Sequence, residues 1–228
     1  MCELKTDEAI RERIGRLPPK LEDLYIELHE RHTKYTAEAD RRMAKNALSW
    51  LLCAQRTLKS REFLAILSVT SNGGFSQVSI DQVLDVCCNL VVFDSTLDTF
   101  RFAHLSVREF LEKQADYSTT TVNALAAKLC LLQLISADLK PAVESFLIKQ
   151  GISIQRDSRW SHELGKYTTA YWPVHCYLAA NERINGRLAE FLMLFLSNES
   201  NPTSPFLFGP GRFRENGILQ SNMTYTKN

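Results

Sequence analysis

Between Leu90 and Ala103 the hydrophobic pattern changes period, and this constrains the fold more than any other feature of the chain. Leu90-Val91-Val92-Phe93 is a β-prone run, Asp94 to Asp98 is turn-like, and Thr99-Phe100-Arg101-Phe102-Ala103 alternates. Two short strands joined by such a turn read as a hairpin. The flanks carry helical spacing instead. Met43, Ala47, Trp50 and Leu51 share one face of a helix predicted over Ala37–Cys53, and a second covers Ser60–Leu67. After the Asn72-Gly73-Gly74 turn, Ser79 and Gln82 form a possible capping box for a third helix over Ile80–Cys88. Three helices followed by a two-stranded hairpin is the order of a winged helix, placed here at residues 34–116.

The remainder is read as mainly α. Ahead of the winged helix, Leu21, Leu24, Tyr25 and Leu28 repeat at helical spacing after Pro18-Pro19. Behind it, Thr121–Ala137, Pro141–Gln150, Leu164–Ala180 and Gly186–Ser197 read as four helices of a small bundle, residues 117–200. Pro141 suits a first helical turn, and Pro173 should start or kink its helix. Residues 201–228 are rich in Gly, Pro, Asn, Ser and Thr without periodicity, and are expected to be an irregular or disordered tail. Trp50, Leu51, Leu90, Val92, Phe102 and Leu105 are the expected winged-helix core. Ser106 and Glu109 have capping-box spacing and are expected to open the helix after the hairpin.

Composition bounds the function. The 228 residues carry 27 Lys+Arg against 26 Asp+Glu, a balance that opposes a surface built throughout for nucleic acid or anionic membrane. The N-terminus is charged at once, unlike a signal peptide. The longest clean apolar run, Phe191–Leu196, is far short of the roughly 20 residues a membrane span needs. Six cysteines without a CxxC, mostly in apolar helical patterns, read as reduced, buried thiols of a cytoplasmic protein.

No catalytic motif emerges. Gly165-Lys166-Tyr167-Thr168 lacks the upstream glycine and residue order of a phosphate loop. His29 and His32 share a helix face without a third ligand and read as a solvated pair rather than a metal site. Cys87-Cys88 point different ways from one helix. His175-Cys176, beside Trp172 and Pro173, reads as bundle packing. The expectation is therefore a non-enzyme with no cofactor or metal of its own. DNA binding is the alternative function. It is opposed by Asp81 and Asp85 on the helix that would enter the groove, and by Asp94 and Asp98 in the wing.

Three stretches carry a resemblance: Leu48 to Arg56, Asn89 to Phe93, and Arg101-Phe-Ala-His-Leu-Ser-Val-Arg-Glu-Phe-Leu111. They are similar to the winged-helix domain that follows the NACHT ATPase domain in fungal NOD-like receptors, also known as the GPI inositol-deacylase winged-helix domain. Tyr171 to Cys176 resembles the helical segment after it, which commonly leads into ankyrin repeats. Lys5 to Pro19 resembles the last NACHT helix, and residues 1–33 are assigned as its remnant. Lys59 departs from the family, which usually has Ser or Thr capping that helix.

The resemblance implies a regulatory module of a signal-transduction ATPase, closing over bound ADP in the resting state. Its partner would be a NACHT nucleotide-binding domain or another protein, with no nucleic acid and no membrane. His104 matches the motif histidine that approaches the ADP phosphates; the other reading of His104 is that it packs or caps between hairpin and helix. A hydrolase remnant, suggested by the deacylase in the domain's name, has no hydrolase residues to support it. With no phosphate loop and no repeats, the chain is expected to be a fragment or degenerate copy.

Overall fold

The computed structural model describes residues 23, 25, 26, 37–69, 76–137, 141–149, 151, 158–184 and 186–196. His29, His32, the assignment of residues 1–33 apart from Asp23, Tyr25 and Ile26, and the 201–228 tail lie outside them.

The first half is a winged helix. Helix α1, Glu38–Cys53, carries Glu38 and Asp40 in its first turn, where carboxylates complement the helix dipole. It buries Ala44, Ala47, Leu48, Trp50 and Cys53. Helix α2, Ser60–Leu67, follows Lys59, whose side chain supplies no cap. Glu62 compensates by accepting the Lys59 N–H at 2.9 Å, which satisfies half of a capping box. Helix α3, Ile80–Val86, has the full box, with the Ser79 hydroxyl accepting from the Gln82 N–H and Gln82 Oε1 from the Ser79 N–H. It ends earlier than expected because Cys88 and Asn89 turn the chain with φ of 49° and 64°.

Strands β1, Val91–Asp94, and β2, Thr99–Phe102, pair antiparallel, with Val91 opposite Phe102 and Phe93 opposite Phe100. In the turn, Asp94 Oδ1 accepts the N–H groups of Thr96 and Leu97. Asp98 adopts φ 53°. Its carbonyl accepts the Ser60 N–H at 2.9 Å and its carboxylate accepts the Ser60 hydroxyl. The two acids of the wing are thus spent on building the turn and tying it to α2. Phe100 stacks on Phe63 at 4.8 Å and leans on Phe93, which fixes the inner face of the hairpin.

That face corrects part of the expected core. Trp50 is fully buried, but Leu51, Leu90, Val92 and Phe102 are only partly so, and Leu105 is 65% exposed. Val91, Thr99 and Phe100 are the buried strand residues. Side chains alternate along a strand, so pairing Val91 with Phe102 turns Val92 to the outer face opposite Arg101.

Helix α4, Leu105–Glu112, is followed by a 3₁₀ turn at Ala115–Tyr117 and then by α5, Thr119–Ala137, α6, Pro141–Lys149, α7, Ser158–Leu178, and α8, Arg187–Leu196. The protein is mainly α, a winged helix followed by further helices. Helix α7 begins before the expected Leu164 and runs through Pro173, which therefore does not start it. Helix α5 is the axis of the molecule, packing against α1, α7 and α8. By length and composition its Thr119–Ser136 stretch could cross a membrane, yet 67% of that stretch is buried within the protein. Being buried on nearly all sides, it is apolar all round, as a central core helix must be.

Replacing Trp50 with Ala should cost about 3–5 kcal/mol in chemical denaturation, and Phe100→Ala a similar amount. Leu105→Ser should stay within about 0.5 kcal/mol of wild type. A Leu105 effect as large as that of Phe100 would contradict the register described.

Candidate functional site

His104 sits where β2 hands over to α4. The Ala103 N–H donates to the Leu90 carbonyl at 2.9 Å, carrying the ladder one residue past β2. His104 stays extended, with φ −147° and ψ 153°, and the helix begins at Leu105. Its carbonyl accepts the Val107 N–H at 3.2 Å and its Nδ1 accepts the Ser106 N–H at 3.2 Å. His104 is therefore the N-cap itself. This corrects the expected Ser106–Glu109 box: Ser106 is the second helical residue, and Val107 occupies the third position, where the reciprocal acid would have to stand. The strand determines this, because the backbone leaves it at His104.

The cap orients the ring. Nδ1 accepts a backbone N–H, so it carries no proton. The Ser106 hydroxyl, 2.7 Å from Nδ1, then donates to the same lone pair, sharing it with the N–H. The imidazole proton is then on Nε2, the edge turned away from the cap. The residue is exposed, as are its neighbours Ala103 and Leu105. A single N–H donor held on a fixed ring suits an anionic oxygen from another molecule or domain. The helix terminus itself adds little, because two of its first N–H groups are already taken by His104.

His175 is the opposite case. It is fully buried, with Nδ1 2.8 Å from Asn123 Oδ1 and Nε2 2.9 Å from the Tyr167 hydroxyl. Tyr167 also accepts the Gln55 N–H at 3.0 Å, and Asn123 donates to the Thr119 carbonyl at 2.8 Å. Only one proton arrangement satisfies all four bonds: Gln55 N–H to Tyr167, Tyr167 O–H to His175 Nε2, His175 Nδ1–H to Asn123, and Asn123 N–H to Thr119. Desolvation by burial lowers the His175 imidazole to about 4, so it is neutral in the folded protein. Burial likewise pushes the Cys53, Cys87 and Cys176 thiols up to about 12. These groups pack the interior, as the sequence suggests for His175-Cys176, and are poorly placed for nucleophilic chemistry.

Three partnerships escaped the sequence reading. Asn123 and Gln133 are polar residues in the otherwise apolar α5, a signal that each needs a buried partner; Gln133 Oε1 accepts from the Thr168 hydroxyl at 2.6 Å. Tyr25 packs on Phe110 and reaches Ser106, a contact that no local pattern announces. Among the described residues no group of three or more His, Cys, Asp or Glu is placed to hold a metal ion. On α3, Asp81, Gln82 and Asp85 are exposed.

Residues 32–123 match the family model described as the winged helix domain of GPI inositol-deacylase, so a domain of that type is present over less than half of the chain. No curated protein matches, and no solved structure does. The matched stretch contains His104 and ends at Asn123, the acceptor for His175.

The buried His175 makes stability depend on pH with a definite sign. Its folded value, about 4, lies below the ordinary 6.5. Its contribution is therefore complete above the ordinary value and is lost as pH falls from there toward the folded value. The full loss is about 3 kcal/mol. Urea denaturation across that interval should show wild type losing stability more steeply than His175→Gln. Parallel pH profiles for the two proteins would contradict a buried neutral imidazole.

Proposed function

We propose that this chain is a non-catalytic regulatory and interaction module of a NACHT-type signal-transduction ATPase, working in the cytoplasm. It closes over the nucleotide-binding domain of that ATPase in the resting state. The observation that carries the reading is His104: exposed at the junction of hairpin and helix, within the Phe102–Leu111 stretch that resembles the receptor motif, and holding its free N–H on Nε2. In the closed state this N–H donates to a phosphate oxygen of ADP held by the other domain. A neutral donor to a charged oxygen is among the stronger hydrogen bonds, which suits a contact that retains ADP. His104 also caps α4 through Nδ1, which leaves Nε2 for the phosphate. The acidic α3, with Asp81 and Asp85 exposed, argues against DNA as the partner.

Two measurements test this. Calorimetry on the purified chain should find neither binding nor hydrolysis of ATP; stoichiometric nucleotide binding would overturn the non-catalytic assignment. In a full-length receptor carrying this segment, His104→Ala should speed ADP release about tenfold or more, as expected for the loss of a hydrogen bond to a charged group, and should raise spontaneous activation. Unchanged ADP release would remove the phosphate contact.

A further inference from the structure

The ring of His104 is linked through Ser106 to a residue that lies outside the matched domain. Tyr25 belongs to the segment ahead of the winged helix. It is only 7% exposed, and its ring lies 5.4 Å from that of Phe110 on the buried face of α4. Its hydroxyl is 2.8 Å from Ser106 Oγ, a contact between residues 81 apart in sequence. Ser106 Oγ is in turn 2.7 Å from His104 Nδ1.

The direction of this chain is fixed by donor counting. Nδ1 already accepts the Ser106 N–H, so the single Ser106 hydroxyl hydrogen points to Nδ1. Ser106 Oγ is left with lone pairs only, and the hydroxyl facing it from Tyr25 must donate. The relay runs Tyr25 O–H to Ser106 O–H to His104 Nδ1. Without the Tyr25 donor, the Ser106 hydroxyl is free to rotate away from Nδ1, the Ser106 N–H alone then holds the ring in the Nε2–H form, and the share of the Nδ1–H form rises.

We propose that Tyr25 is a positioning residue for His104: docked on α4, it holds the imidazole in the Nε2–H form through Ser106, so that the segment preceding the winged helix decides whether His104 presents a donor. The consequence for ADP rests on the function proposed above, but the effect on the ring does not.

Imidazole nitrogen NMR on the full chain at alkaline pH reads the tautomers directly. Wild-type His104 should be the Nε2–H form and His175 the Nδ1–H form, which makes His175 an internal control for an intact fold. Tyr25→Phe keeps the ring on Phe110 and removes only the hydroxyl. It should lower the His104 ratio of Nε2–H to Nδ1–H about fivefold, the change made by one ordinary hydrogen bond, with His175 unmoved. Ser106→Ala should shift the ratio in the same direction and guards against a Tyr25 variant that disturbs folding. The proposal is overturned if wild-type His104 is the Nδ1–H form, or if neither variant moves it. If the ratio shifts while Tyr25→Phe leaves ADP release from a full-length receptor unchanged, the positioning role stands and the nucleotide reading of His104 fails.

Discussion

A line of hydrogen bonds, buried at its centre, joins the winged helix to the helices behind it. It runs from the Gln55 N–H, just past α1, through Tyr167 and His175 on α7 to Asn123 and the Thr119 carbonyl on α5. The line admits a single proton arrangement, and breaking it at His175 strands a polar group in the interior. A stranded group costs about 1–3 kcal/mol, more than the bond itself contributes on average. Trp50 fills the space beside this line, edge-on to Tyr167 at 5.7 Å and to His175 at 5.8 Å. Its indole N–H is buried without a hydrogen-bond partner among the described residues. The apolar area of the ring and its two edge contacts offset that cost.

This junction places the candidate site. With α1 held against α5 and α7, the hairpin packs on α2 through Phe63 and Phe100, and Asp98 ties the turn to Ser60. The chain therefore leaves β2 at a fixed point, and His104 becomes the cap of α4 while remaining exposed. The two histidines illustrate how environment assigns a role. His175 is surrounded, neutral and paired on both nitrogens. His104 is anchored by one nitrogen and presents the other.

Much of the scaffold was legible. Ser60–Leu67 coincides with α2, and the ends of α5 and α6 fall within a residue or two of expectation, since Pro141 and the apolar periodicity mark them. Residues missed had specific causes. Leu90-Val91-Val92-Phe93 is apolar at every position, so it contains no alternation from which to read which side faces in. Ser106 and Glu109 have the spacing of a capping box, and only the strand's last backbone bond moves the cap back to His104. The wing acids looked like a repulsive surface, but Asp94 and Asp98 are internal acceptors. Pro173, a helix breaker by its chemistry, lies inside α7.

The sequence by itself determined the helical segments, the position of the hairpin between them, and the identity of the exposed motif histidine. These depend on hydrophobic period and turn chemistry, which act over a few residues. Tertiary structure alone decided which face of the hairpin is buried, which nitrogen of each histidine carries its proton, and that Tyr25 reaches Ser106. The reason, outside the local cap of His104, is range: His175 meets Asn123 across 52 residues, and Tyr25 meets Ser106 across 81. A polar side chain announces that it needs a partner, but only packing selects which one it meets.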